Sequence, residues 1–395
     1  MLRYTLLILA VLPSSLGFAE DAVIDSLNEQ RFRAPAAKGV AALVPGHEGQ
    51  AIEFKFDKDS QNVFFGSNIR GKPAWDDAAG FSFWVQGDGS PEVGVLQFIY
   101  NDDYAVRYEY AFPLKNKEWH QVTVRWRDLV PVLPGKDSNF LDAKTGNKPS
   151  KISALWVGKW WHWRDYPAHS FALDELRLEP TIADQKLTSS PGLAKVLAKL
   201  RRGEPVTIVT MGDSLTDTRH WANREIVWPT LLKQQLEKKY KLQVTIINPA
   251  VGGTQLRQGL IQIPRWLVEV AEPDLVTICY GGNDLDAGMR GEQFLETYTQ
   301  GIDRLRRVTQ GKAEVLLLST VPSVERWETT AELADACRAA SKQRATGLAD
   351  LQKAFHAADT TDRAGLFVDD KVHLSAAGHA LVAATVLTAI EAASE

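Results

Sequence analysis

The pattern of apolar residues changes near residue 180, and this change limits the folds open to the chain. From about residue 51 to residue 178 the sequence has period two, as in segments 81–85 and 120–126. After Pro180, short apolar runs alternate with amphipathic stretches. Period two indicates antiparallel strands, whereas apolar strands between helices indicate a parallel sheet buried on both faces. The sequence therefore predicts two domains of different class.

The first predicted domain is an all-β antiparallel sandwich over residues 20–180, because turn signals separate its strands and no amphipathic helix intervenes. Residues 181–203 are a predicted linker with a helical pattern over 193–200. Residues 204–395 predict a three-layer α/β domain with a parallel sheet. Its predicted strands are 206–211, 244–247, 275–280 and 315–320, and its predicted helices include 228–240 and 292–308.

The N-terminal residues are typical of an export signal. Arg3 precedes an apolar run over 6–12, which is followed by Pro13 and then by Gly-Phe-Ala at 17–19, with small residues at alternate positions. This pattern predicts a signal peptide over residues 1–19, cleaved after Ala19. No later run of about 18 apolar residues follows, so we expect a soluble secreted or periplasmic protein without membrane insertion.

The charge, the cysteine content and the motifs of the chain exclude several other classes of protein. The 395 residues carry a formal net charge of −4, so no global basic field indicates binding to nucleic acid or to a membrane surface. Cys279 and Cys337 lie in an apolar run and in an alanine-rich helical stretch, and two buried free thiols are the expectation, with a disulfide as the alternative. No P-loop, dinucleotide fingerprint or spaced metal ligands occur, so we predict chemistry without metal or cofactor. The oligomeric state stays open.

Four loops of the second domain carry reactive or glycine-rich residues. In a doubly wound sheet the loops at the carboxyl ends of the strands line the crevice that binds ligands. Three of the four sets follow predicted strands and the last precedes the final predicted helix. The sets are Gly-Asp-Ser-Leu-Thr at 212–216, Asn-Pro-Ala-Val-Gly-Gly-Thr at 248–254, Gly-Gly-Asn-Asp at 281–284 and Asp-Lys-Val-His at 370–373.

These residue types suit acyl transfer. Ser214 needs a base to take its proton, and His373 supplies one. Asp370, three residues before His373, holds the imidazole in the required tautomer, with Asp369 as its rival.

A tetrahedral intermediate also needs hydrogen-bond donors for its oxyanion. The candidates are the backbone amides of Ser214 and Gly253 and the side-chain amide of Asn283. Gly252, adjacent to Gly253, is an alternative amide donor.

In this order, the four blocks resemble the signature blocks of the SGNH (GDSL) hydrolase superfamily over residues 204–395. The resemblance implies an α/β fold and a serine hydrolase, and the family's spacing favours Gly253 over Gly252. The implied roles are nucleophile for Ser214, base for His373, orienting carboxylate for Asp370, and oxyanion donors for Ser214, Gly253 and Asn283.

The loops beside the predicted nucleophile are polar, which disfavours a large lipid funnel. They contain the candidate substrate-binding residues Arg219, Trp221, Arg326 and Trp327. An indole stacks on a sugar face and a guanidinium pairs with a carboxylate. The alternative is that the arginines are merely solvated and that the indoles only cover the rim of the site.

The first domain holds eight of the twelve tryptophans and resembles jelly-roll carbohydrate-binding modules, with core packing as the alternative. The whole arrangement is similar to two-domain bacterial carbohydrate acetylesterases. We therefore predict a secreted serine esterase that removes small acyl groups, above all acetyl, from a polysaccharide or cell-wall glycan. The alternatives are a short-chain lipase or phospholipid esterase, and a catalytically silent glycan-binding protein.

Overall fold

In the computed structural model the chain forms a β-sandwich followed by an α/β domain. The structure describes residues 22–34, 38–60, 63–66, 69–135, 138–159, 161–185, 192–358 and 363–392. The predicted signal peptide, residues 1–19, lies outside the described residues.

The N-terminal half builds two antiparallel sheets. Their strands are β1 (Val23–Asp25), β2 (Gly39–Pro45), β3 (Gln50–Phe56), β4 (Val63–Phe65), β5 (Gly80–Gly87), β6 (Val93–Tyr100), β7 (Asp103–Pro113), β8 (His120–Arg125), β9 (Val130–Pro131), β10 (Ile152–Gly158) and β11 (His169–Glu179). One sheet has the order β2-β3-β11-β5-β8, with β1 paired to β11, and the other has the order β4-β10-β6-β7-β9. The predicted sandwich is confirmed, and the helix α1 (Ala74–Asp77) spans only four residues.

Alternating apolar side chains hold the two sheets together. Phe81 and Phe83 of β5 pack with Leu96 and Phe98 of β6 in the core between the sheets. Period two places one apolar face of each strand in this core. Strand β6, however, is buried along its whole length, so its second face also packs against protein.

The C-terminal half forms a parallel sheet of five strands in the order β13-β12-β14-β15-β16. These strands are β12 (Val206–Gly212), β13 (Val244–Ile247), β14 (Leu275–Cys279), β15 (Glu314–Leu318) and β16 (Gly347–Ala349). The four predicted strands are present. Strand β16 was not predicted, because three residues are too short to show a period.

Helices cover both faces of this sheet. They are α2 (Ala194–Arg201), α3 (Trp228–Tyr240), α4 (Leu256–Ile261), α5 (Ile263–Leu267), α6 (Gly282–Asp286), α7 (Gly291–Val308), α8 (Ala331–Arg344), α9 (Leu351–Ala358) and α10 (Ala376–Glu391). Val209 and Met211 of β12 enter one apolar core, and Val206 and Ile208 enter the other. Burial of both faces explains the unbroken apolar runs of the strands. Within the predicted linker, α2 packs its apolar side into the second core.

The sandwich packs directly on the α/β domain. Val93 and Val95 of β6 and Phe140 of a following loop share one buried cluster with apolar residues of α4, α5 and α7. The buried guanidinium of Arg257, from α4, lies 5.8 Å from the centre of the Phe140 ring and donates to Ser138 Oγ at 3.1 Å. A common apolar core therefore joins the two domains.

Two further sequence expectations concern cysteines and membranes. Cys279 and Cys337 are free and buried, which confirms the expectation for both thiols. Within the described residues, no helix combines the length and the apolar character needed to cross a bilayer.

We expect Phe140→Ala to lower the free energy of unfolding by about 3–5 kcal/mol, because the truncation leaves a cavity between the domains. Urea denaturation followed by circular dichroism measures this loss. Tyr104→Ala is the control, since its ring is 67% exposed and its loss should stay within about 1 kcal/mol. Equal losses for the two variants would contradict a stabilising role for the domain interface.

Candidate active site

Three loops that carry predicted site residues meet beside strand β12. This strand lies between β13 and β14, so the segments that follow these three strands are neighbours at one edge of the sheet. Ser214 follows β12, Gly253 follows β13, and Asn283 lies in the first turn of α6 after β14. The segment before α10 brings His373 to the same edge, where its ring contacts Ser214.

A hydrogen-bonded chain links Ser214, His373 and Asp370. Ser214 Oγ lies 2.9 Å from His373 Nε2, and His373 Nδ1 lies 2.5 Å from Asp370 Oδ2. Because His373 Nδ1 keeps its proton and donates it in a hydrogen bond to the carboxylate, Nε2 is left as the acceptor for the serine hydroxyl. Asp369, the rival of Asp370, has no hydrogen bond to His373 within the described segment.

Asp370 is held as an ionised carboxylate. Its Oδ1 accepts the backbone amides of Val372 and His373, each at 2.9 Å. Partial burial alone would raise its pKa, but the hydrogen bonds from the His373 ring and from these amides lower the pKa below its usual value. The carboxylate therefore keeps its charge beside the imidazole.

The geometry distinguishes the two adjacent glycines of the second loop. Gly252 donates its amide to Asp217 Oδ2 at 3.1 Å. Gly253 has φ +79°, which favours glycine, and no described residue accepts its amide. The amide of Gly253 is therefore available to a ligand beside Ser214, whereas that of Gly252 is already used.

Asn283 is fixed between two loops. Its Nδ2 donates to the carbonyl oxygen of Thr254 at 3.0 Å and to Asp213 Oδ2 at 3.3 Å. These bonds orient the side-chain amide at the edge where Ser214 and Gly253 lie. The structure thus brings together the five residues predicted as nucleophile, base, orienting carboxylate and oxyanion donors.

Two buried aspartates support these loops. Asp213 accepts the amide of Leu215 at 3.0 Å, and Asp284 accepts the amide of Leu256 at 3.0 Å. Burial raises the pKa of Asp213 to about 6 and that of Asp284 to about 7. Both residues belong to the sequence blocks noted above, but the sequence did not indicate their supporting position.

His220 lies against the predicted base. Its ring stacks on that of His373, with the ring centres 4.1 Å apart. Burial and the neighbouring His373 lower the pKa of His220, which favours a neutral imidazole there. The sequence placed His220 in the loop after Ser214 without suggesting this contact.

Asp217 joins three parts of the site. Its Oδ1 accepts Arg164 Nη2 at 3.2 Å and the amide of Arg219 at 2.9 Å, and its Oδ2 holds Gly252. Arg164 comes from the sandwich, between β10 and β11. Sequence reasoning missed this pair, since no local pattern connects residues 53 positions apart in different domains.

The four predicted substrate-binding residues take different positions. Arg219 and the 55% exposed Trp221 line a cavity that contains Ser214 and His373. Arg326 lines a second cavity at Ser214, where it pairs with Asp286.

The prediction that Trp327 binds substrate is wrong. Its ring is only 4% exposed and packs against His356, Phe367 and the guanidinium of Arg363. The indole is part of the apolar core beneath the loop, so it offers no face to a ligand.

The two cavities that meet at Ser214 differ in size. The smaller one has a volume of about 160 Å³ and includes Leu215, Tyr280 and Val321. The larger one, of about 660 Å³, includes Gly253 and His373. In the part of the chain that the structure describes, no group of three or more histidine, cysteine, aspartate or glutamate side chains is arranged to hold a metal ion.

Comparison with known families identifies the second domain. Residues 210–381 match the GDSL-like lipase/acylhydrolase family. The C-terminal half of the chain therefore carries a GDSL-like lipase/acylhydrolase domain, which confirms the resemblance seen in the motifs. No curated protein matches the chain.

The chain is similar to several solved structures, among them a lipase/acylhydrolase from Enterococcus faecalis, with 24% identity over 47% of this chain and 95% of that chain at a TM-score of 0.40. An acetylxylan esterase from Geobacillus stearothermophilus has 22% identity over 47% of this chain and 94% of that chain, at a TM-score of 0.38. A Bacillus subtilis protein aligns over 91% of this chain and 89% of that chain, with 17% identity and a TM-score of 0.41.

His379, near the start of α10, supports the nucleophile loop from below. Its Nδ1 accepts the amide of Trp228 at 3.3 Å, so Nε2 carries the proton donated to Asn223 Oδ1 at 3.1 Å. Burial and the nearby His373 lower the pKa of His379 to about 4. The folded protein therefore holds His379 neutral.

This neutral histidine predicts a loss of stability in acid. An unfolded histidine has a pKa of about 6.5, so the unfolded chain binds the proton first as the pH falls from about 6.5 to about 4. Between pH 7.5 and pH 5 we expect the wild-type protein to lose about 2 kcal/mol more unfolding free energy than His379→Gln, whose amide has one acceptor and one donor group and does not titrate. The raised pKa values of Asp213 and Asp284 stabilise the folded state as the pH falls, but they do so equally in the wild type and in the variant. Parallel pH profiles in urea denaturation would contradict the assignment.

Proposed function

We propose that the protein is a serine esterase that removes small acyl groups, above all acetyl, from a polysaccharide or cell-wall glycan. The observation that carries the proposal is the chain of hydrogen bonds from Ser214 through His373 to Asp370 in a GDSL-like domain. A hydroxyl bonded to an imidazole whose other nitrogen is bonded to a carboxylate is the arrangement that activates serine for acyl transfer.

In the first step, Ser214 Oγ attacks the ester carbonyl while His373 Nε2 takes the hydroxyl proton. The carbonyl oxygen becomes an oxyanion, which the backbone amides of Ser214 and Gly253 stabilise. The Asn283 side-chain amide joins them by giving up its longer bond, 3.3 Å to Asp213 Oδ2, because both of its N–H groups are engaged in the structure. Asp370 stabilises the resulting imidazolium. His373 then gives its proton to the departing sugar hydroxyl, which leaves an acyl-serine.

In the second step, water attacks the acyl-serine carbonyl while His373 takes one of its protons. The oxyanion forms again at the same donors. As it collapses, the proton on His373 returns to Ser214 Oγ, and the free carboxylic acid leaves. The stacked His220 keeps one face of the His373 ring out of water.

The two cavities support a small acyl group and a larger alcohol. The smaller cavity, about 160 Å³ and partly apolar, suits a short acyl chain. The larger one exposes Trp221, whose indole suits the face of a sugar ring. Export with cleavage after Ala19, and carbohydrate binding by the sandwich, remain parts of this proposal.

The test is release of acetate from a panel of acetylated polysaccharides, beside aryl acetate and aryl octanoate. Acetate release from one glycan class, with weak cleavage of the octanoate, is the expected result. Preference for aryl octanoate would favour a lipase, and binding of glycans without cleavage of any ester would favour a silent binding protein.

Ser214→Ala should abolish turnover of all these esters, because no other group takes the place of the nucleophile. The fold should persist, since the removed hydroxyl contributes one hydrogen bond. Circular dichroism and hydrolysis assays check both points, with Ser150→Ala, a sandwich serine bonded to Asp76, as the control. Residual turnover near the wild-type rate would exclude the mechanism.

Asn283→Ala should lower kcat by about 100-fold to 1,000-fold with little change in KM, the usual loss when one oxyanion donor is removed. Steady-state kinetics with aryl acetate measures both constants. A change confined to KM would instead assign Asn283 to substrate binding.

A further inference from the structure

The larger cavity at Ser214 has a wall that the α/β domain does not supply. Trp163 and Arg164, from the segment between β10 and β11 of the sandwich, line it together with Trp221, Gly253 and His373. The sandwich therefore contributes directly to the space beside the nucleophile.

That wall is held in place by contacts between the domains. Gln262 Nε2, from the α/β domain, donates to the carbonyl oxygen of His162 at 3.0 Å. Arg265 donates to Asp165 at 3.0 Å, and Arg164 to Asp217 at 3.2 Å. Because Trp163 also belongs to the shared apolar cluster, the segment is built into the interface.

Basic residues outnumber acidic residues in the lining of this cavity. Three arginines and one aspartate line it: Arg164, Arg219, Arg224 and Asp217. Both oxygens of Asp217 already accept hydrogen bonds. Arg224 is exposed and pairs with no carboxylate of the described chain, and Arg219, which is 53% exposed, makes only a 3.3 Å contact with the equally exposed Asp165.

The smaller cavity on the other side of Ser214 has the opposite bias. Four aspartate or glutamate residues line it, against two basic residues, Arg326 and Lys371. Of these two cavities, the one with an excess of basic residues is thus the one where the larger part of a substrate fits.

We propose that the larger cavity binds the carboxylate of an acidic sugar, with Arg219 and Arg224 as its ligands and Arg164 of the sandwich closing the wall. This inference rests on the proposed esterase function and names its substrate class, an acylated glycan that contains uronic acid. Guanidinium groups pair with carboxylates through two parallel hydrogen bonds, and Trp221 supplies an aromatic face for the same sugar. The sandwich then acts as part of the active-site cavity.

The test compares an O-acetylated uronic acid oligosaccharide with the same oligosaccharide after its carboxylates are reduced to alcohols. We expect kcat/KM to be at least about tenfold higher for the acidic form at low salt, mainly through KM, since a hydrogen bond to a charged group contributes about this much. The preference should shrink as salt is raised.

Arg224→Gln and Arg219→Gln should each lower the ratio of the two kcat/KM values by about tenfold. Arg202→Gln is the matched control, because this exposed arginine pairs with Glu204 before the opposite end of β12. The Arg202→Gln variant should show the same ratio of the two kcat/KM values as the wild type.

Aryl acetate carries no sugar, so its cleavage tests the esterase function independently of the acidic-sugar site. If wild-type protein cleaves aryl acetate and both sugars without preference, or if the arginine variants keep the preference, the acidic-sugar site is wrong and the esterase stands. If no ester is cleaved, the proposed function itself is wrong.

Discussion

The packing of the sandwich on the α/β domain is the contact on which the candidate site depends. Strand β6 is buried on both faces because one side fills the sandwich core and the other, at Val93 and Val95, meets helices of the α/β domain. This interface holds the segment with Arg164 beside the loop that follows β12. Through Asp217, that segment is bonded to the backbone of Gly252, next to the amide we assign to the oxyanion. One wall of the site and part of its support thus come from a different domain.

Burial decides which acidic groups near Ser214 carry charge. Asp370 is partly exposed and accepts several hydrogen bonds, which lower its pKa and favour the carboxylate. Asp213 and Asp284 are buried beneath the neighbouring loops, where loss of water raises their pKa values to about 6 and about 7. Identical side chains a short distance apart therefore have different tasks. One orients an imidazole, and the other two fix loops.

Much of the fold was predictable because its signals are local. Strands with one face in the sandwich core show period two, and strands buried on both faces show unbroken apolar runs. Strand β6 shows no such alternation, since it is buried on both faces. Strand β16 was missed because pairing with β15, not its three-residue sequence, makes it a strand. The family motifs indicated the candidate nucleophile, base and oxyanion donors, including Ser214 and His373, which are 159 residues apart.

By itself the sequence determined the two fold classes and the identity of the residues that meet at the carboxyl edge of the sheet, because pattern and motif reside in neighbouring residues. Only the tertiary structure decided which polar-loop side chains face the cavity. Trp221 and Trp327 lie in similar sequences, yet one is exposed beside His373 and the other is packed in the core. The pairing of Arg164 with Asp217 and the positive wall of the larger cavity likewise arise from the docking of two domains. Such contacts join distant parts of the chain, and burial and charge at a site depend on all of them together.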